Sequence, residues 1–147
     1  MADLRGLIQS ARDAVWAVFR ESYDAARDWT EVSCVGTAWC FADKRFLAAA
    51  HVFNEGKPRD PKASFKLARV TGLNRVGVLQ LVGIKQVLYE DLALDFAVLE
   101  AVGLQEGVPQ IPLTFDTAED GTQVVTIGYP TPSNVSVVPD GKVRTIL

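Results

Sequence analysis

Apolar residues at Leu4, Leu7, Ile8 and Ala11 recur at three- and four-residue intervals. That spacing predicts a short helix over residues 3–12, with Asp3 as its N-cap. The period then changes. Ala14 to Phe19 (Ala-Val-Trp-Ala-Val-Phe) is a continuous β-branched and aromatic run, the pattern of a buried strand. Arg20 to Thr30 is polar and acid-rich and reads as an exposed loop, although Glu21 to Trp29 could also continue a helix. Glu31 to Phe41 is the next strand, with Gly36 where a bulge or a close backbone approach would fit. Asp43-Lys44 supplies a turn and Arg45 to Ala49 the returning partner strand. Residues 54–62, with Gly56, Pro58 and Pro61, form a loop.

Strands are predicted at Ser64–Val70, Val76–Val82 and Gln86–Tyr89, followed by an acidic turn over Glu90–Asp95. Asp95-Phe96-Ala97-Val98-Leu99-Glu100 opens another strand that ends before Gly103. Pro109 and Pro112 bracket an extended connector, and Gln123–Gly128 is the last clear strand, stopped by Gly128-Tyr129-Pro130. The tail has one more turn at Pro139-Asp140-Gly141, and Val143–Leu147 reads as a strand cut off in mid-course. Many short strands divided by Gly, Pro and Asp turns mean an all-β sandwich or barrel. No internal repeat or low-complexity tract divides the chain, so residues 1–147 are read as one domain.

Bulk properties narrow the function. At 147 residues and 48% hydrophobic, with a mean hydropathy of +0.12, the chain can bury a real core. Its net charge of −3 lacks the clustered basic face that nucleic-acid binding needs. No segment has the length of a membrane span, and the N-terminus, with Asp3, Arg5, Arg12 and Asp13, does not read as a secretory leader. Cys34 and Cys40 lie on one predicted strand, roughly 20 Å apart along it, too far for a disulfide. Two free thiols favour a reducing, cytoplasmic setting. One histidine and two same-strand cysteines make a poor metal set, and no glycine-rich loop is present to cradle a phosphate, so no metal or cofactor is expected.

The chemistry centres on that single histidine. Gly36-Thr37-Ala38-Trp39-Cys40-Phe41 and Phe46-Leu47-Ala48-Ala49-Ala50-His51-Val52-Phe53 read as a β-hairpin that carries His51 to the end of a strand. The small residues before it allow a tight turn, and Val52 and Phe53 bury that turn. A histidine held so firmly is either an anchored core-edge residue or a positioned base.

These residues resemble the histidine box of trypsin-like serine peptidases, G-[ST]-G-[FW] followed by a hairpin and [IL]-[LV]-T-A-A-H-[VC]. Asp95-Phe96-Ala97-Val98-Leu99 resembles the family's aspartate box, D-[IL]-A-[LV]-L. Gly121 to Pro130 (Gly-Thr-Gln-Val-Val-Thr-Ile-Gly-Tyr-Pro) is similar to the G-x-x-V-x-x-x-G-[YF]-P segment of the bacterial, HtrA-like branch. The three occur in the family's order and cover residues 14–147. Ala38 and Ala48 replace the usual Gly and Thr with small residues that leave the chemistry unchanged. The nucleophile box, G-[ND]-S-G, is missing. Ser10, Ser22, Ser33, Ser64, Ser133 and Ser136 have no glycine neighbour.

The resemblance implies a six- to seven-stranded antiparallel Greek-key barrel, the N-terminal half of the trypsin-like double barrel. Residues 1–13 would add a helix, and 131–147 would begin the connection to a second barrel. It implies His51 as general base and Asp95 as the buried carboxylate that fixes its tautomer, with the nucleophile outside this chain. Asp91-Leu92-Ala93-Leu94 offers the same short pattern. Asp95 is preferred because the apolar strand after it would bury its carboxylate. Implied partners are a peptide or protein substrate and a second barrel, from the same gene or another chain. The alternative is a barrel without its catalytic half, serving as a peptide- or protein-binding module. The cysteines read as small buried hydrophobes, and Trp16, Trp29 and Trp39 as core or core-edge packing.

Overall fold

In a computed structural model of the protein, residues 4–54, 64–71, 77–122, 127–129, 134–137 and 143–146 are described. A helix, α1 (Leu4–Arg12), precedes eight strands: β1 (Val15–Asp24), β2 (Trp29–Ala42), β3 (Arg45–Ala48), β4 (Phe65–Thr71), β5 (Gly77–Asp91), β6 (Phe96–Val102), β7 (Asn134–Val137) and β8 (Val143–Ile146). Six of them close on themselves in the order β1-β4-β5-β6-β3-β2, with β2 returning to β1, all neighbours antiparallel. β1, β2 and β3 are joined by hairpins, and β4 crosses to the far side of β1. The spatial run β4-β1-β2-β3 is a Greek key. The protein is therefore an all-β, closed antiparallel barrel with a short N-terminal helix. β7 pairs with the first half of β2, and β8 with β7.

Closure buries the inward residues of every barrel strand. Trp16 and Phe46 meet edge to face at 5.4 Å between ring centres, and Phe53 and Phe65 do so at 5.0 Å. Val18, Leu67, Ile84 and Leu99 fill the space between them. Beyond β6 the chain is irregular over residues 104–119, as its prolines predict. The backbone N–H of Ile111 donates to Cys40 O at 2.8 Å and ties this connector to β2.

Several boundaries differ from the sequence expectation. Arg20–Asp24 is not a loop or a helix. It extends β1 and pairs residue by residue with Trp29–Ser33. Its polar side chains mark a solvent-facing surface of a long hairpin whose turn is Ala25–Asp28, with Asp28 at φ 50°. The two strands expected at 76–82 and 86–89 are one strand, β5, with register shifts at Ile84/Gln86 and Val87/Tyr89. Gly83, between those two expected strands, is a point of close approach: a Cβ there would lie 2.9 Å from Val102 Cγ1. Asp95 belongs to the turn before β6, not to the strand. Ile127–Tyr129 is irregular, whereas the remainder of the expected Gln123–Gly128 strand lies outside the described residues. So do the Asp3 cap, nearly all of the 54–62 loop and the Pro139-Asp140-Gly141 turn.

Candidate active site

β3 ends at Ala48, and a single 3-10 turn, Ala50–Val52, follows it at the barrel rim. The residues flanking His51 hold the turn down. Ala50, Val52 and Phe53 are buried, whereas His51 between them faces solvent, its side chain 70% exposed. Gly36 makes the seat possible, because a Cβ there would lie 2.7 Å from Val52 Cγ2. The same glycine adjoins a bulge, since Val18 pairs with Gly36 and Phe19 with Cys34. Both sequence expectations for Gly36 are thus met at one residue.

The second half of the site comes from the β5–β6 turn, on the neighbouring strand pair. Asp95 has φ 58°, a left-handed backbone that Asp tolerates better than most residues. Its carboxylate reaches back to His51 twice: Oδ1 accepts the backbone N–H at 2.8 Å, and Oδ2 accepts from ring Nδ1 at 2.7 Å. The ring hydrogen bond, then the backbone one, hold the Asp95 carboxyl below its ordinary range. An ionised carboxylate can only accept, so Nδ1 carries a proton, and in the neutral ring it is Nε2 that bears the lone pair. That arrangement can take a proton from a hydroxyl brought to Nε2.

Asp91 does different work. Its Oδ1 accepts the backbone N–H of Leu94 at 2.8 Å and braces the turn on which Asp95 sits. The structure therefore brings His51 to Asp95 and uses Asp91 as a turn residue. One expectation is corrected. The Asp95 carboxylate is not buried by the strand after it, and its side chain is 46% exposed. The turn stands proud of the barrel rim, and the burial falls instead on Ala97 and Leu99 of β6. Leu92 and Leu94 of the same turn are 63% and 73% exposed.

Asn54 and Glu90 are neighbours of the site that no sequence pattern connects. Asn54 follows the 3-10 turn. Its Nδ2 donates to Ala50 O at 2.9 Å and to Glu90 Oε1. The two residues are 36 positions apart, and no local spacing marks the pair.

Cys34 and Cys40 are free and buried in β2. Burial pushes both thiols up, which keeps them protonated and poor as nucleophiles. Among the described residues, no group of three or more His, Cys, Asp or Glu side chains is arranged to hold a metal. Nor is any helix among them long and apolar enough to cross a membrane. Comparison with known proteins gives no matching family model and no matching curated protein.

Proposed function

We propose that this barrel supplies the general base, His51, and its orienting acid, Asp95, to a trypsin-like serine endopeptidase. The observation that carries the proposal is the doubly bonded His51–Asp95 pair, which leaves Nε2 open at the barrel rim. A serine hydroxyl is weak at its own pKa and needs such a base beside it. The base in turn needs a carboxylate that holds its tautomer and stabilises the imidazolium. The closed Greek-key barrel and the ordered histidine and aspartate segments support the same reading. None of the six serines has a glycine neighbour, so the nucleophile would come from a second barrel, in the same gene product or another chain. That barrel would also donate the oxyanion-binding amides. The substrate class is peptide or protein, and the two buried thiols favour the cytoplasm.

The test is labelling with a fluorophosphonate probe. The 147-residue chain alone is expected not to react. The full gene product, or the chain that co-purifies with it, is expected to label at a glycine-flanked serine and to lose that labelling on His51→Ala. Labelling of one of this chain's own serines, or labelling that persists without His51, would overturn the proposal.

A second reading has its own support. Leu92, Leu94, Tyr89 and Leu88 leave an apolar surface exposed around the site, which suits a barrel that binds a peptide or partner without cleaving it. A clean monomer or dimer that binds peptide with no His51-dependent labelling favours the binding module.

A further inference from the structure

The turn that carries His51 is gripped from both edges, and both grips come from the β5–β6 rim. On one edge, Asp95 takes the backbone N–H and the ring Nδ1 of His51. On the other, the Asn54 amide takes the carbonyl of Ala50 and bridges it to Glu90. Glu90 is the next-to-last residue of β5, and the last, Asp91, braces the turn that presents Asp95. One side-chain amide has two N–H groups, and Asn54 uses both on this bridge.

The second grip adds to the first because its Asn54–Ala50 bond is part-buried, whereas the His51–Asp95 bonds are exposed. A solvent-facing hydrogen-bonded pair contributes little by itself and shares with its neighbours the task of holding two loops in register. A base, however, works only when its geometry is fixed closely, and that precision comes from supporting hydrogen bonds. We propose that Asn54 and Glu90 are positioning residues that set the His51 turn against Asp95 and so hold the ring in its Nδ1–H tautomer. The purpose of this clamp rests on the peptidase reading above, but its physical effect does not.

The test uses the 147-residue chain labelled with 15N, in which the only histidine gives two unambiguous ring nitrogens. With the ring neutral, wild type is expected to show one protonated and one lone-pair nitrogen, widely separated in shift. Asn54→Ala and Glu90→Ala are each expected to draw the two shifts together, toward those of free imidazole, while the amide spectrum stays folded. Glu90→Gln keeps an acceptor oxygen and is expected to retain the wild-type shifts. Glu90 is an exposed side chain, so its variants carry the test if Asn54→Ala unfolds. Unchanged ring shifts in the alanine variants would overturn the proposal, as would Glu90→Gln behaving like Glu90→Ala. A loss of serine labelling in the assembled enzyme bears on the peptidase reading alone and leaves these shifts to be judged separately.

Discussion

Asp95 binds His51 through two atoms at once: the carboxylate holds the backbone N–H at 2.8 Å and ring Nδ1 at 2.7 Å. One side chain therefore bonds both the backbone of the turn and the ring nitrogen that carries the proton. Asp95→Asn separates these roles. Asn tolerates the left-handed backbone and retains one acceptor oxygen, but its amide N–H2 cannot accept from Nδ1. The expected outcome is a folded chain whose ring nitrogens no longer show a fixed Nδ1–H form by 15N NMR. In the peptidase assembly proposed above, turnover is expected to fall by about 10⁴-fold, the usual cost of a wrong tautomer in such triads. A turnover loss below tenfold would count against the orienting role.

Acid should weaken the fold through two carboxylates. Asp95 is held down first by the His51 ring and then by its backbone N–H, and Glu100 first by the Gln86 amide and then by Lys85. A carboxyl with a depressed folded pKa stabilises the fold above its unfolded value. That contribution is lost as pH falls through the folded value. The unfolded values are about 3.9 for Asp and 4.3 for Glu, so the loss is expected to begin near pH 4 and to grow below it. Urea midpoints measured as a function of pH check this. The double variant Asp95→Asn/Glu100→Gln should show a flatter acid limb than wild type.

The thiols have the opposite sign. Burial raises Cys34 and Cys40, so their contribution is present below the unfolded thiol value, about 8.5, and is lost as pH rises above it. At neutral pH both are expected to resist a thiol reagent in the native chain and to react fully once it is unfolded. Rapid stoichiometric labelling of native protein would contradict their burial.

Gly36 and Val52 form a steric pair. Gly36→Ala places a Cβ 2.7 Å from Val52 Cγ2 and must displace the His51 turn or the bulge beside it. The expected destabilisation is about 1–3 kcal/mol, read from the urea midpoint. Val52→Ala in the same chain removes the clash. The double variant should therefore be more stable than the sum of the two single changes, a coupling that a double-mutant cycle measures directly.

Local pattern was enough to locate most of the secondary structure and the chemistry-bearing residues. The 3.6-residue spacing of Leu4 to Ala11 marks α1, and the run Ala14–Phe19 marks the buried part of β1. The small residues before His51 and the apolar pair after it identify a seated turn. These are properties of neighbouring residues, which sequence order preserves. Tertiary contact decided the rest. Pairing with β2 makes a strand of the polar stretch Arg20–Asp24, and pairing with β4 and β6 carries β5 through Gly83 without interruption. Asp91 and Asp95 are near-equivalent on paper. Barrel closure sets β3 beside β6, and the left-handed backbone at Asp95 carries its carboxylate, not that of Asp91, to the His51 ring. The Asn54–Glu90 bridge likewise exists only because closure joins residues far apart in the chain. The sequence determined which groups are available for proton transfer, whereas the closed sheet decided which of them meet, because hydrogen bonds depend on distance in space and not on separation along the chain.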